Sequence, residues 1–414
     1  MTYSKPAINP ERLKTTHDGL NAFGHDPLTG GFDRTGYSVS DMAARDWFEA
    51  LLRHEGLRVT RDGVANIFGR YGPSEGPSIL VGSHIDTVPQ GGAFDGSLGV
   101  AIALECIRAM KEAGLAPKTA VEVVGFAEEE GRFGGMLGSQ ALTGQVSPDW
   151  LATATDSDAI SLKQAMADHD LDSSAALDSA RSPESIRAFI ELHIEQGPVL
   201  EKWKCAVGVV EAISGVSHLS VTLDGKANHS GTTPMEMRAD AFAGLAEFAT
   251  QIPAIIASFG TDQSRVTIGK VELQPNFPHT IPGKAVFSLI TRDTDEVVQR
   301  RLLEAAQNRI AQSAKRHSLT VTFEEKSWLP PVQLDAALAN RFAAKAKELG
   351  FSHIRMPSGA GHDAQTMQSL CPSALVFVPS RGGISHAPEE FTEWDQVVTG
   401  AQLVLATLVD LAME

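Results

Sequence analysis

The residues best suited to chemistry begin with a histidine and two aspartates that follow a short apolar run. His84, Asp86 and Asp95 lie between a strand-like run at 78–81 and a helical pattern from Ser97 to Ala113. Side chains alternate along a strand, so we expect the Asp86 carboxylate to hold one nitrogen of the His84 ring while the other binds a metal. Asp95 would benefit from the positive N-terminal end of the helix. This stretch predicts half of a metal site, with a strand end carrying ordinary polar loop residues as the alternative.

Three consecutive carboxylates, Glu128 to Glu130, follow a second apolar strand pattern at 120–127. In open α/β sheets ligands collect at the carboxyl ends of strands. Adjacent like charges at a buried edge are costly unless a cation or protons offset them. Because neighbours in an extended chain face opposite ways, at most two of the three can reach one site. Taken alone, the run has a solvated acidic loop as its less favoured alternative.

Two further histidines end strand patterns later in the chain. His193 lies in the segment 191–198 (Glu-Leu-His-Ile-Glu-Gln-Gly-Pro), and His386 lies in the segment 383–389 (Gly-Ile-Ser-His-Ala-Pro-Glu). Either histidine alone is more often a hydrogen-bonded structural residue than a ligand. Together the four segments supply imidazoles and carboxylates at strand ends of one predicted sheet. That ligand set suits zinc, manganese or cobalt, and the absence of thiolates argues against a purely structural zinc.

Composition narrows the class of protein. The chain has 414 residues, 43% of them hydrophobic, which indicates two globular domains. Its net charge of −16 disfavours nucleic acid or an anionic membrane as a partner. Three dispersed cysteines encode no disulfide framework, which fits a cytoplasmic location. We expect neither a leader peptide nor an apolar run of membrane-spanning length.

The order of the predicted elements indicates where the domains divide. Strand, helix and strand patterns with continuous apolar strands predict an α/β domain with a mixed, mainly parallel sheet flanked by helices. From Val216 the order becomes βαββαβ, the ferredoxin-like arrangement of an inserted domain. We therefore place the first domain at residues 1–214 and 330–414 and the insertion at 215–329. Ser40 is expected to cap a helix at 41–55. The segment 145–185 is expected to be a surface excursion with one helix around Leu162 to Asp168 and without chemistry.

Six motifs carry a resemblance to a known family. They are Gly-Ser-His-Ile-Asp-Thr-Val, Gly-Ala-Phe-Asp-Gly, Glu-Glu-Glu-Gly-Arg-Phe, His-Ile-Glu-Gln-Gly-Pro, Asn-His-Ser-Gly-Thr-Thr-Pro-Met and Ser-Gly-Ala-Gly-His-Asp-Ala. Over about residues 40–410 the chain resembles the M20 metallopeptidase-like amidohydrolases. The likeness is to their hydantoinase/carbamoylase branch of N-carbamoyl-amino-acid hydrolases, β-ureidopropionases and allantoate amidohydrolases.

The resemblance implies a zinc-peptidase-like catalytic domain that holds two divalent metal ions. Asp95 would bridge them, with His84 and His193 on one ion and Glu130 and His386 on the other. The inserted ferredoxin-like domain would be a lid that also forms a homodimer.

The resemblance also implies the roles of the catalytic residues. Glu129 would be the general base and Asp86 would orient His84. Gln196 would contact the substrate. His229, which belongs to the lid, would stabilise the oxyanion, plausibly from the partner subunit. A histidine that caps the turn before Pro234 is the alternative.

Three more lid residues match substrate-binding positions of the family. Arg292 would bind the substrate carboxylate through a bidentate fork, and Asn276 and His279 would contact the substrate. Relatives usually have asparagine where this chain has His279, and an acidic residue where it has Ile290. Both departures bear on which substrate is used. The loop 359–363 would offer backbone contacts to the substrate rather than metal ligands.

We therefore expect a metal-dependent amidohydrolase that cleaves a linear C–N bond in an N-carbamoyl or related N-acyl amino acid. The nearest alternative is an aminoacylase or peptidase-like hydrolase on the same scaffold. A non-catalytic, metal-stabilised binding protein is the alternative from another class. Such a protein would need the five ligands but not Glu129, so the intact Glu129-Glu130 pair favours an enzyme.

Overall fold

The computed structural model describes residues 5–414, which fold as two units. The larger unit extends to Glu211 and resumes from Leu334 to Glu414, and the smaller comprises Ala212–Gln333. The helices are α1 Pro10–Leu20, α2 Val39–His54, α3 Ser97–Glu112, α4 Leu137–Thr143, α5 Pro148–Thr153, α6 Leu162–Ala167, α7 Val199–Trp203, α8 Ala241–Phe259, α9 Glu296–Arg316, α10 Ala336–Glu348, α11 Asp363–Met367 and α12 Trp394–Met413. The strands are β1 Arg58–Arg61, β2 Ile67–Tyr71, β3 Ser78–His84, β4 Ala120–Phe126, β5 Ile186–Ile194, β6 Val207–Ile213, β7 Gly215–Asp224, β8 Asn228–His229, β9 Arg265–Gln274, β10 Thr280–Ile281, β11 Lys284–Asp293, β12 Thr320–Leu329, β13 Val332–Gln333, β14 His353–Ser358 and β15 Ser373–Val378.

The larger unit is built on a mixed sheet whose central strands are parallel. Its strands lie in the order β1-β2-β4-β3-β5-β15-β6, and β14 also pairs with β6. β4, β3, β5 and β15 run parallel, whereas β2 and β6 are antiparallel to their neighbours. Both β3 and β4 are buried along their whole length, as expected for strands covered on both faces. The predicted α/β class is confirmed, and the carboxyl ends of four adjacent strands share one edge.

Helix α2 begins two residues earlier than the sequence indicates. Its first residue is Val39, and the hydroxyl that caps it belongs to Ser38, whose Oγ accepts the N–H of Asp41 at 3.2 Å. The prediction of Ser40 as the cap is wrong because both serines offer a capping oxygen, and local sequence does not distinguish them.

The segment 145–185 is more ordered than a surface excursion. It contains α5 and α6, and Leu151, Leu162 and Met166 from it pack with Tyr37 in an apolar cluster of their own. Helix α6 was expected, but α5 was missed because six residues span less than two turns and show little periodicity.

The smaller unit has the predicted ferredoxin-like topology. Its four antiparallel strands lie in the order β12-β7-β11-β9. Alternate residues of β7 and β11 are buried, including Val221 and Phe287, and they pack with Phe248 of α8 and Ile310 of α9. The short strands β8 and β10 pair with each other in a separate ribbon.

Two helices, α8 and α12, are long and apolar enough to cross a membrane by length and composition alone. The expectation that no apolar run approaches this length is therefore corrected. Over its most apolar window α12 is 56% buried, so it is a core helix of the larger unit. In α8 the apolar residues Phe248 and Ile255 pack in the core of the smaller unit. Core packing accounts for the apolar face of α12, whereas only 22% of the most apolar window of α8 is buried.

Candidate metal centre

Asp95 lies at the centre of a group of imidazoles and carboxylates in the larger unit. Its Oδ1 is 3.3 Å from Nε2 of His84 and 2.9 Å from Nε2 of His193. Its Oδ2 is 3.4 Å from Nε2 of His386, which in turn is 3.5 Å from Oε2 of Glu130. The fold thus brings all five sequence-predicted ligands together, each from a loop or strand end at the shared edge.

The five residues form two overlapping groups that could each hold a metal ion. One contains His84, Asp95 and His193, and the other contains Asp95, Glu130 and His386, with the ligating atoms of each group within 4.8 Å of one another. Only Asp95 belongs to both. This division matches the pairing implied by the resemblance, with one carboxylate oxygen turned toward each group.

The electrostatics of the cluster fit divalent cations. Burial, and then repulsion from Asp95, raise the pKa of Glu130 to about 8. A hydrogen bond to Asp95 raises the pKa of His386 to about 9. Burial alone would raise the pKa of Asp95, but His193 and the other imidazoles hold that pKa well below its usual range. Within residues 5–414, Oε1 of Glu130 is buried without a hydrogen-bond partner. Crowded carboxylates, accessible imidazole nitrogens and an orphaned oxygen form a donor set suited to zinc, manganese or cobalt.

The three consecutive glutamates have different environments. Glu128 turns away, with its Oε1 accepting the N–H of Phe133 at 2.6 Å. Glu129 and Glu130 face the cluster, and Oε2 of Glu129 is 3.7 Å from Nε2 of His84. Burial, together with the nearby Glu130, raises the pKa of Glu129 well above its usual value. Two of the three reach the site, the upper limit expected from the sequence. They are adjacent residues, however, because β4 ends at Phe126 and Glu128 has a φ of 55°, so strand alternation no longer applies.

Asp86 contacts His84 differently from the prediction. Nδ1 of His84 donates to the backbone carbonyl of Asp86 at 3.0 Å, whereas the Asp86 carboxylate is 3.9 Å away. The carboxylate instead accepts the N–H groups of Glu129 at 3.2 Å and Glu130 at 3.1 Å. The strand ends at His84, so side-chain alternation no longer determines where Asp86 points. Asp86 therefore orients His84 through its main chain. Its side chain fixes the glutamate loop, residues 128–130.

Glu390 is a site residue that the sequence reasoning missed. It is 3% exposed, and its Oε1 accepts the N–H groups of Phe94 at 2.9 Å and Asp95 at 3.0 Å. Its Oε2 accepts the Ser385 hydroxyl at 2.8 Å and the N–H of His386 at 3.3 Å. Glu390 thus ties together the loops that carry Asp95 and His386. The signal available in the sequence was a glutamate four residues after His386.

Gln196 contacts the cluster directly. Its Nε2 donates to Oδ2 of Asp95 at 2.7 Å and lies 3.1 Å from Nε2 of His386. Its Oε1 is buried and has no hydrogen-bond partner in the described part of the chain. A free acceptor beside the cluster is consistent with the predicted substrate contact.

His362, in the loop 359–363, packs against the cluster without joining either ligand group. Its ring centroid is 4.5 Å from that of His193, and its Nε2 is 3.0 Å from the Ser358 hydroxyl. Burial lowers its pKa well below the usual value, so the ring is neutral. The structure thus places a buried imidazole, and not only loop backbone, beside His193.

Two of the predicted lid residues, His229 and His279, are neighbours in the smaller unit. His229 lies in β8, and the N–H of the following Ser230 donates to the carbonyl of His279 at 3.0 Å. Nδ1 of His229 accepts the N–H groups of Gly231 at 3.0 Å and Thr232 at 3.2 Å. The neutral ring must therefore carry its hydrogen on the exposed Nε2, where it can be donated to another molecule.

Arg292 lies at the other end of the smaller unit. It is near the end of β11, opposite Val216, whereas β11 begins at Lys284, beside the ribbon that carries His229. Eight residues of continuous strand place the Cα atoms of Lys284 and Arg292 roughly 26 Å apart. Burial lowers the pKa of Arg292. Arg292 and His229 of one chain therefore cannot contact the same small molecule. Asn276 is exposed in the loop before His279.

A mixed α/β sheet, two ligand groups sharing one aspartate, and a ferredoxin-like insertion define a zinc-peptidase-like class of protein. The sequence model of Peptidase family M20/M25/M40 matches residues 80–410, and the chain belongs to this family.

Relatives and solved structures place the chain in the hydantoinase/carbamoylase branch. It is 37% identical to an N-carbamoyl-L-amino-acid amidohydrolase of Paenarthrobacter aurescens, over 91% of this chain and 92% of the relative. It is 35% identical to an allantoate amidohydrolase of Bacillus subtilis, over 92% and 93% of the two chains. A crystal structure of a hydantoinase/carbamoylase family amidase from Burkholderia multivorans superposes with a TM-score of 0.92, at 30% identity and 99% coverage of both chains.

Proposed function

We propose that the chain is a dinuclear-metal amidohydrolase that cleaves a linear C–N bond in an N-carbamoyl or related N-acyl amino acid. The observation that carries the proposal is the shared Asp95, with two ligand groups on its two oxygens and Glu129 beside them in neither group. The relatives named for N-carbamoyl-L-amino acids and allantoate support a hydrolase of non-peptide C–N bonds.

One cation would be held by Asp95, His84 and His193. The other would be held by Asp95, Glu130 and His386. Bound there, divalent cations supply Lewis acidity toward a carbonyl oxygen and lower the pKa of water. Glu129 is the carboxylate left over for proton transfer. Its Oε2 lies 3.7 Å from Nε2 of His84, close enough to the cluster to take a proton from water there and pass it to the leaving nitrogen.

The smaller unit supplies the substrate contacts. The exposed Nε2–H of His229 is suited to an oxyanion, because the tautomer is fixed by two backbone N–H groups on Nδ1. Arg292 is suited to a carboxylate through its planar fork. Asn276 and His279 lie on the His229 side of the unit and would read the rest of the substrate.

The separation of Arg292 from His229 supports a homodimer. If both residues act on one substrate, they must come from two copies of the smaller unit. The unit also has surfaces suited to a second copy. β9 is an edge strand with Val271 45% exposed, and α8 exposes Phe242 by 49%. We propose that the smaller unit is both lid and dimer contact, and we place the enzyme in the cytoplasm.

A panel of substrates tests the proposal. N-carbamoyl, N-formyl and N-acetyl derivatives of one amino acid are offered to enzyme loaded with Mn²⁺, Co²⁺ or Zn²⁺, and ammonia or free amino acid is measured. We expect the N-carbamoyl derivative to be hydrolysed fastest. Preference for the N-acetyl derivative would favour an aminoacylase-like enzyme. No turnover of any derivative with any metal would contradict an amidohydrolase and favour a metal-stabilised binding protein.

A further inference from the structure

A cavity of about 770 Å³ in the larger unit borders the metal centre at Glu130. Its inner wall includes Tyr37 and Thr87, both buried, and its mouth includes Val39, which is 78% exposed, and Ile160, which is 39% exposed. A volume of this size can hold a substituent much larger than a carbamoyl group. Exposed apolar side chains at the mouth favour contact with the carbon chain of a ligand.

The walls of the cavity are held in place by hydrogen bonds. Arg132 donates through Nε and Nη2 to Oδ2 of Asp156, at 3.0 and 2.9 Å, and through Nη1 to the carbonyl of Gly36 at 2.9 Å. His169 donates from Nε2 to the carbonyl of Tyr37 at 3.1 Å. These bonds join the glutamate loop, the residues before α2 and the segment 145–185, so the cavity is already formed.

The lining is negatively charged once its internal ion pair is counted. Arg132 is neutralised by Asp156, and Glu130 belongs to one of the two ligand groups of the metal centre. That leaves the carboxylates of Asp158 and Asp168, both exposed to the cavity mouth. A positive or hydrogen-bond-donating group would be attracted there, and a carboxylate would be repelled.

Building on the proposed function, we propose that this cavity receives the side chain of the amino-acid substrate, with Asp158 and Asp168 selecting side chains that end in a cation or donor. The segment 145–185, which supplies Asp158, Asp168 and Ile160, is then a specificity element. Substrates with basic or neutral polar side chains are preferred to acidic ones of similar length.

The test compares N-carbamoyl derivatives of lysine, methionine, glutamate and glycine. The glycine derivative lacks a side chain, so its hydrolysis measures the proposed reaction without any contribution from the cavity. We expect kcat/KM to fall from lysine to methionine to glutamate. The Asp158→Asn, Asp168→Asn double variant should lower the lysine-to-glutamate ratio roughly three- to tenfold, as two partly screened charge interactions would. The ratio in the unmodified enzyme should also shrink as salt is added.

Two further variants separate charge from space. Asp170→Asn removes a nearby exposed carboxylate that does not line the cavity, so it should leave the ratio unchanged. Ser157→Trp narrows the mouth and should slow the lysine and methionine derivatives more than the glycine derivative. If the double variant leaves the lysine-to-glutamate ratio unchanged, and Ser157→Trp slows the lysine and methionine derivatives no more than the glycine derivative, the cavity assignment alone is overturned. If no glycine derivative, N-carbamoyl, N-formyl or N-acetyl, is hydrolysed, the proposed function fails and the assignment fails with it.

Discussion

Glu129 and Glu130 are adjacent in sequence, but their contacts separate their roles. Glu130 belongs to one of the two ligand groups, with its Oε2 3.5 Å from His386. Glu129 belongs to neither group and lies 3.7 Å from His84. A carboxylate that is close to the ligands yet free of them is the group expected to move protons.

Replacing each glutamate by glutamine tests this division. Glu129→Gln should retain metal and slow turnover by roughly 10²- to 10⁴-fold, the usual contribution of a general base. Glu130→Gln should instead lower metal content. Elemental analysis and kcat on the same preparations distinguish the two variants. If Glu129→Gln instead loses metal while Glu130→Gln retains it, Glu130 is the base and Glu129 is the ligand.

Substrate recognition can be tested at Arg292. For a substrate with a free carboxylate, Arg292→Lys keeps the charge but loses the bidentate fork, at a cost of about 1.5–3 kcal/mol in kcat/KM. That corresponds to a roughly ten- to a hundredfold loss. If Arg292→Lys has the same kcat/KM as the unmodified enzyme, Arg292 does not bind the substrate carboxylate through a bidentate fork.

His279 stands where the resemblance leads us to expect asparagine. Asparagine offers both a donor and an acceptor, whereas a protonated histidine offers two donors. His279→Asn should therefore raise activity on N-carbamoyl substrates relative to the best substrate of the unmodified enzyme. The ratio of kcat/KM values from pH 6 to 8 measures this change. If the ratio is constant across this pH range and equal in the unmodified enzyme and His279→Asn, His279 does not contact the substrate.

Two loops from distant parts of the chain converge on Glu390. One carries Asp95 before α3, and the other carries His386 after β15, and four hydrogen-bond donors from these loops reach its carboxylate. Glutamine would keep the size but place an amide NH₂ against some of those donors. The loops would then lose their fixed separation.

Glu390→Gln should weaken binding of the metal held by Asp95, Glu130 and His386 about 10- to 100-fold. This is the usual effect of changing a residue that orients ligands. Metal titration of the folded apoenzyme measures this, with circular dichroism confirming the fold. Glu389→Gln alters the exposed neighbour and serves as the matched control. Equal metal affinities in the two variants would mean that Glu390 does not position the ligands.

The strand ends were the part of the site that sequence could predict. Apolar runs that stop at His84, Glu128 and His193 mark the carboxyl ends of parallel strands, and such ends must share an edge. The contacts of Asp86 and Glu390 were not predictable, because they depend on how loops fold back after the strands end. Helix α5 and the Ser38 cap were missed because a short helix and two nearby serines leave no distinguishing pattern.

The proposed mechanism requires two chains. Arg292 and His229 are too far apart in one smaller unit to share a substrate, so each complete site would combine residues of two subunits. Inactive Arg292→Ala and His229→Ala chains should therefore complement each other when co-expressed. In a mixed dimer one of the two sites receives both intact residues.

With random pairing half the dimers are mixed, so about a quarter of the normal activity should return. Purified mixed dimers, selected with two different tags, should show about half the normal activity. Activity no greater than that of the two parents would mean that the residues do not act together across a dimer.

Metal content measured on purified protein shows whether Asp95 serves two ligand groups. Elemental analysis after loading with Mn²⁺, Co²⁺ or Zn²⁺ should find two equivalents per chain. His84→Ala and His386→Ala each remove a ligand from a different group, so each should lower metal content and activity together. Two equivalents retained in both variants would contradict the assignment of the ligands.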